Sequence, residues 1–179
     1  MAELDKREIR RAVKAAVLAI PAERKRRASE RIASAVSRHI SLSGARVVAL
    51  FSPLPDEPMI SPLVELLSER CSVVLPRVEG DVMNFYPYAC GGMERGSFGI
   101  MEPQGGMAVE PQAIDLIAVP GVAFTKNGVR MGRGKGYYDK YMSQEGFRAH
   151  KIGVCYAEQV LDELPAEPHD IMMDSLIYE

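Results

Sequence analysis

Three cysteines in 179 residues, Cys71, Cys90 and Cys155, are an odd number at wide spacing with no Cys-x-x-Cys pair. That pattern argues against a disulfide framework and against a cysteine-ligated zinc centre, and reduced, mostly buried thiols are expected. No run of eighteen or more apolar residues occurs, so the chain offers no membrane-spanning helix. Its first residues, Met1-Ala2-Glu3-Leu4-Asp5-Lys6-Arg7, lack the apolar core of a secretory signal, and a cytoplasmic location is expected. No aromatic residue precedes Phe51, which leaves the most basic part of the chain without the stacking platforms of single-strand nucleic-acid binders. There is no internal repeat.

The formal charge of −2 conceals a gradient. Residues 1–40 carry eleven Lys/Arg against five Asp/Glu, whereas the stretch from Ala157 onward has seven acids and no Lys or Arg. Basic residues on a helix are usually its wet face, so no nucleic-acid partner is expected. A length of 179 residues and a hydrophobic content of 47% suit one compact domain spanning 1–179.

Ile9, Val13, Ala16/Val17 and Ile20 recur at helical spacing, and beyond Pro21 a second helix carries Ala28, Ile32, Ala35/Val36 and Ile40. A strand over Arg46–Phe51, a helix over Pro62–Arg70 and a strand over Ser72–Pro76 make a βαβ unit. Further strands are predicted at Val82–Tyr86, Ile114–Val119, Lys151–Tyr156 and near Ile171–Ile177, with a helix at Tyr137–Ser143 and a long irregular connection over Ala89–Pro111. Continuous apolar runs such as Val47-Val48-Ala49-Leu50 and Leu116-Ile117-Ala118-Val119 fit a parallel sheet covered on both faces, hence a three-layer α/β/α sandwich with a mainly parallel sheet. His39 and His150 have no partner at a suggestive spacing.

The most distinctive stretch runs Arg130-Met131-Gly132-Arg133-Gly134-Lys135-Gly136-Tyr137-Tyr138-Asp139. Alternating glycines let backbone N–H groups approach a ligand, and Arg130, Arg133 and Lys135 place positive charge along the same path, so an anion, above all a polyphosphate, is the natural occupant. A following helix would add its N-terminal amides. The Walker pattern fails, because Gly134-Lys135 is followed by Gly136 and the residue five before Gly134 is Val129. The dinucleotide fingerprint fails as well, because the nearest preceding strand, Ile114–Val119, ends a dozen residues earlier. Composition alone also fits a glycine-rich hairpin with solvated basic residues, though two tyrosines and Asp139 at its exit weigh against that. Ligands of parallel sheets sit beyond the strands' carboxyl ends, where Phe51-Ser52 with Asp56-Glu57, and Pro120-Gly121, fall. Asp56-Glu57 between two prolines can equally be a solvated turn.

Pro120-Gly121-Val122-Ala123-Phe124, Gly128, Arg130 and the run Gly132–Asp139 resemble the signature of the 5-formyltetrahydrofolate cyclo-ligase family. Lys6 with Arg10, Phe51 through Glu57, Leu75-Pro76-Arg77, Gly99-Ile100-Met101-Glu102-Pro103, Gln159, Leu164-Pro165 and His169-Asp170 follow in the family's order. Two departures stand out: Pro58-Met59-Ile60-Ser61 replaces an apolar-acid-threonine sequence, and Thr125 stands where relatives carry an acid.

The resemblance implies the fold of sugar-phosphate isomerases and CoA-transferases, and ATP- and Mg²⁺-dependent closure of 5-formyltetrahydrofolate to 5,10-methenyltetrahydrofolate; a monomer is expected, though the sequence itself does not fix the oligomeric state. By the resemblance, Lys6, Arg10, Arg130, Met131, Gly132, Arg133, Gly134, Lys135, Gly136, Tyr137 and Tyr138 bind ATP. Ser52 and Glu57, with Arg133, Gly134, Lys135, Gly136 and Tyr137, bind the folate. Arg133, Lys135 and Tyr137 are the catalytic residues, and Asp139 and Asp170 hold the metal. Two other classes remain open at this stage: a non-catalytic sensor of phosphorylated ligands, and an RNA-binding protein using the amino-terminal helices.

Overall fold

A computed structural model describes residues 5–88, 92–96 and 98–179. Two amphipathic helices open the chain, α1 (Lys6–Ala19) and α2 (Ala22–Ser43). The Asp5 carboxylate caps α1 by accepting from Arg7 N at 3.0 Å, and the helix stops before Pro21, which disfavours helical geometry in the residue preceding it. Ile9, Val13 and Val17 form the buried stripe of α1, and Ile32, Val36 and Ile40 that of α2. Those three α2 side chains are at most 3% exposed, and each contributes about 2 kcal/mol by burial.

The remaining elements are β1 (Val47–Ala49), α3 (Pro62–Ser68), β2 (Ser72–Glu79), β3 (Val82–Pro87), β4 (Met93–Arg95), β5 (Met101–Pro103), β6 (Leu116–Val119), β7 (Ala123–Thr125), β8 (Arg130–Met131), α4 (Tyr137–Met142), β9 (His150–Cys155), β10 (Val160–Leu161) and β11 (Ser175–Tyr178). The main sheet has the order β11-β9-β6-β1-β2-β3; all neighbours are parallel except β3, which pairs antiparallel with β2 at one edge. Successive residues of a strand face opposite sides, and the packing follows that period. Val48, Leu50, Val73, Leu75, Leu116 and Ala118 pack with α1, α2 and α3 on one face. Ala49, Val74, Ile117 and Val119 pack with Tyr141 and Met142 of α4 on the other. This is the three-layer sandwich that the apolar runs predict.

The connection over Ala89–Pro111 is less irregular than expected, since β4 and β5 pair as an antiparallel two-stranded sheet. Strands of three residues are too short to show a period in the sequence. The small sheet β10-β7-β8, of strands two or three residues long, leaves no period in the sequence either. The last strand begins at Ser175 rather than near Ile171. Cys71 and Cys155 are free, and burial pushes the Cys155 thiol far above its ordinary value; Cys90 lies outside the described residues. His39 and His150 meet in space, their rings stacked with centroids 5.3 Å apart.

The charge gradient of the sequence becomes complementary in three dimensions. Lys6 and Arg24 pair with Glu167 and Glu158 at 2.6 and 2.5 Å, and Arg31 pairs with Glu179. Arg27 reaches Glu23 at 2.8 Å one turn away, on the wet face of α2. No helix among the described residues is long and apolar enough to cross a membrane.

Candidate active site

The chain leaves β1 toward β2 and β3 on one side and returns on the other as β6, so the sheet's topological switch lies between β1 and β6. Residues just past those strand ends, Phe51-Ser52 and Pro120-Gly121, line a cleft of about 370 Å³, as expected for the crevice at a switch point. Every site residue expected from the sequence lines it: Lys6 and Arg10 from α1, Ser52 and Glu57 from the turn after β1, the run 130–139, and Asp170 from the acidic tail.

Two short strands deliver the glycine loop. β7 and β8 pair antiparallel, and Val122 N donates to Met131 O at 2.8 Å, so the loop begins from a fixed base. Thr125 is 1% exposed, and its hydroxyl accepts from Val129 N at 3.1 Å, closing the turn that brings β8 back. The residue that departs from the family pattern is thus a turn element. Gly134 and Gly136 have φ of 103° and 69°, a region that side chains rarely tolerate, and Gly136 caps α4. Because α4 has only six residues, its dipole adds little, and the anion-binding capacity rests on loop amides and cations. Arg10 Nε donates to Gly132 O at 2.8 Å and ties α1 to the loop.

The loop's three cations are not equivalent. Arg130 is 8% exposed; its Nε donates to Pro120 O at 2.9 Å, and its Nη1 lies 3.2 and 3.4 Å from the two Asp139 oxygens. Arg133 is spread over two carboxylates, Asp56 at 2.6 Å and Glu57 at 2.9 Å. Lys135 is exposed. Arg130 therefore braces the loop, Arg133 faces the turn after β1, and among the described residues Lys135 is the loop cation left for a ligand.

Glu57 is 6% exposed, and its Oε2 accepts from Leu54 N at 3.0 Å. Burial pushes its carboxyl above the ordinary range, and the Leu54 amide and Arg133 moderate the rise. The turn is anchored from below: Tyr156 Oη donates to Glu57 O at 3.3 Å and lies 3.1 Å from Ser29 Oγ, which accepts from Met59 N at 3.0 Å. Ser52 Oγ donates to Met101 O at 2.9 Å. Beside these polar groups Val78, Met83, Phe98, Ile100, Tyr137 and Tyr138 supply apolar surface suited to a flat ring. Tyr137 Oη donates to Gly80 O at 3.2 Å, and its ring meets the edge of Phe98. Burial pushes the Tyr138 phenol well above its ordinary value, so it stays neutral.

At the far end, Lys6 Nζ lies 2.6 Å from Glu167 and 3.9 Å from Asp170. Ile171 N donates to Asp139 Oδ1 at 3.4 Å, which places Asp170 and Asp139 on adjoining segments. Two carboxylates bordered by Lys6 and Arg130 suit a hard divalent cation that arrives with an anionic ligand. Among the described residues no group of three or more His, Cys, Asp or Glu is gathered as a metal site, so ligand oxygens would have to complete the coordination.

Several cleft residues carried no role in the sequence reading. Glu102 is 4% exposed, and burial pushes its carboxyl up, moderated by the Val78 amide. Phe98, Glu167 and His169 also line the cleft. Outside the cleft, Gln159, 2% exposed, donates to Gly121 O at 2.8 Å and Val122 O at 3.1 Å and accepts from Tyr156 N, so it pins the strand end beside the loop. Glu102 and Gln159 fall in motifs quoted for the family, but a motif position does not say whether a side chain touches ligand or backbone.

Residues 2–179 match the model of the 5-formyltetrahydrofolate cyclo-ligase family. The 5-formyltetrahydrofolate cyclo-ligase of Mycolicibacterium smegmatis is 33% identical over 147 residues, 77% of this chain and 75% of the relative. That of Mus musculus is 25% identical over 97% of this chain and 93% of its own length. Among solved structures, the 5,10-methenyltetrahydrofolate synthetase of Aquifex aeolicus superposes with a TM-score of 0.86 at 36% identity, covering 97% of this chain and 89% of that one. The Mycoplasma pneumoniae 5,10-methenyltetrahydrofolate synthetase gives 0.80 at 27% identity, covering 97% and 98%.

Proposed function

The chain belongs to the 5-formyltetrahydrofolate cyclo-ligase family, and from that premise we propose that it converts 5-formyltetrahydrofolate and ATP into 5,10-methenyltetrahydrofolate, ADP and phosphate. The observation that carries this reading is that one cleft joins a cation-and-glycine loop to an apolar wall with a buried carboxylate. A triphosphate and a flat, donor-bearing heterocycle can therefore meet there.

The chemistry requires that meeting. A formamide oxygen is a poor leaving group. Moving the γ-phosphoryl onto it makes it a phosphate ester; N10 then attacks the formyl carbon and loses its proton, and the C–O bond breaks with the electron pair leaving on phosphate. Phosphoryl transfer depends on positioning and on neutralising the phosphate oxygens. In this reading Lys135, Lys6, Arg10 and the loop amides receive the triphosphate, and Arg130 keeps the loop in place. Glu57 accepts from the amino and amide edge of the pterin, with Ser52 beside it and the aromatic wall against the ring. Tyr137 lies where the two substrates meet. Asp139 and Asp170 would hold Mg²⁺, which when bound supplies charge neutralisation between phosphate groups.

We further propose that residues 1–179 act as a single domain, since one cleft draws on α1, the turn after β1, the loop and the acidic tail, and that this domain works as a monomer. The free thiols of Cys71 and Cys155 support a cytoplasmic location. The test is an absorbance assay for methenyltetrahydrofolate from 5-formyltetrahydrofolate, with ATP and Mg²⁺ each present or omitted. Product that needs ATP supports the reading; binding of a sugar phosphate with no ATP consumption would favour a sensor instead.

A further inference from the structure

Arg133 sits between two glycines in the loop, yet its guanidinium is committed to the turn after β1. Asp56 receives it fork-on: Nη1 reaches Oδ2 at 3.1 Å and Nη2 reaches Oδ1 at 2.6 Å. Glu57 takes Nε at 3.3 Å and Nη2 at 2.9 Å, both on Oε1, while its other oxygen is occupied by Leu54 N. The exposures differ in the same sense. The Glu57 side chain is 5% exposed, Asp56 18% and Arg133 36%.

A guanidinium that is one-third exposed and carried on a glycine-flanked backbone has little reason to remain on one oxygen of a buried carboxylate. Water or a phosphate would compete for it. A paired, two-bond contact between Arg and carboxylate fixes direction as well as distance, and only Asp56 makes one here.

We propose that Asp56 is a positioning residue: by gripping Arg133 it seats the guanidinium on Glu57, so that Arg133 serves as counter-ion to that carboxylate rather than as a phosphate ligand. The consequence for folate binding rests on the reading of Glu57 given above; the clamp itself does not.

Asp56 acts on Glu57 in two opposite ways. As a like charge it raises the Glu57 carboxyl; as the holder of Arg133 it brings a cation that lowers it. The other groups facing the pair are Tyr138 of α4, the Tyr156 hydroxyl on the Glu57 carbonyl, and Lys14 of α1, which acts on Asp56. Burial works to raise Asp56, but Arg133 overrides it and holds Asp56 below the usual value. The sign of the change on neutralising Asp56 therefore separates a clamp from a bystander.

The experiment is an NMR carboxyl titration of the ligand-free protein with isotope-labelled glutamate, the Glu57 resonance being assigned by its loss in Glu57→Gln. In Asp56→Asn the Glu57 midpoint should rise by about one pH unit, the size expected when an opposite charge is withdrawn from within hydrogen-bonding range. Arg133→Gln should raise it further, because the like charge of Asp56 then stays beside Glu57 uncompensated, and the double variant should fall back to the Asp56→Asn value. A midpoint that falls or stays put in Asp56→Asn would overturn the proposal. Should that variant not fold, Arg133→Gln carries the comparison, and an unmoved midpoint there overturns it equally. Measured alongside, the KM for 5-formyltetrahydrofolate should rise several-fold in Asp56→Asn while that for ATP stays within about twofold. A raised midpoint with unchanged folate KM would uphold the clamp and remove Glu57 from the folate site.

Discussion

Arg130 and Asp139 form an ion pair at the two ends of the glycine loop, with Nη1 lying 3.2 Å from Oδ2 and side chains 5% and 22% exposed. The acid at the loop exit therefore has a structural partner before any ligand arrives. The same carboxylate is the one proposed to hold Mg²⁺, so the loop's shape and its metal affinity depend on one group.

Asp139→Asn should accordingly do two things. It should lower the stability of the ligand-free protein by about 2 kcal/mol, less than the ~3–5 for a fully buried pair, because Asp139 retains contact with water. It should also nearly abolish turnover and raise the Mg²⁺ concentration needed for what remains. Denaturant unfolding without ligands and a Mg²⁺ titration at saturating substrates separate the two effects; lost stability with an unchanged magnesium midpoint leaves Asp139 as a brace only.

Lys135 is the contrasting case, an exposed cation on the same loop. Lys135→Ala should leave the melting temperature within about a degree of the parent, as for surface substitutions away from structural contacts. ATP use should suffer by about 1.5–3 kcal/mol, the worth of a charge-assisted contact, or roughly ten- to a hundred-fold in KM or turnover. Equal ATP kinetics in parent and variant would withdraw Lys135 from the phosphate site.

Much of this was legible in the sequence, and what was not has a common cause. The stripes Ile9-Val13-Val17 and Ile32-Val36-Ile40 are long enough for periodicity to speak, and the apolar runs Val47–Leu50 and Leu116–Val119 mark buried strands by continuity instead. Strands β4, β5, β7, β8 and β10 have two or three residues each and show no period. The loop read correctly as a lining of the cleft, but composition treats its cations as equal. Only the tertiary partners Pro120, Asp139, Asp56 and Glu57 show that Arg130 and Arg133 are already engaged. Likewise Asp56-Glu57 read equally well as a solvated turn, because nothing local reports the approach of Arg133 from 76 residues away.

Glu57→Gln keeps the shape of the side chain and removes its charge, so the KM for 5-formyltetrahydrofolate should rise about tenfold or more while that for ATP changes little. Because burial raises the parent's Glu57 carboxyl, its charge is lost at a higher pH than an ordinary glutamate's as the solution is acidified. Folate KM in the parent should rise through that window, and in Glu57→Gln it should not. Parallel pH profiles of the two proteins would contradict the assignment.

Asp115 stitches the starts of two central strands, its Oδ2 accepting from Arg46 N at 2.8 Å and Val47 N at 2.9 Å. The Val47 amide above all holds its carboxyl below the usual range, against the opposing effect of burial. A depressed folded value means that the stabilisation is present above the unfolded value of about 3.9 and is lost as pH falls through the folded one. Asp115→Ala should cost about 1 kcal/mol at neutral pH, and the gap between variant and parent in denaturant unfolding should close as pH falls below the ordinary aspartate range. A gap independent of pH would mean that the carboxylate charge is not what those amides recognise.

The central claim is that the cleft brings a γ-phosphoryl group onto the formyl oxygen of the folate. The most direct measurement uses 5-formyltetrahydrofolate bearing a heavy-oxygen label at the formyl group, with mass analysis of the phosphate released in a single turnover. Each phosphate formed together with methenyltetrahydrofolate should carry one labelled oxygen. Unlabelled phosphate, with the heavy oxygen recovered in water, would contradict it.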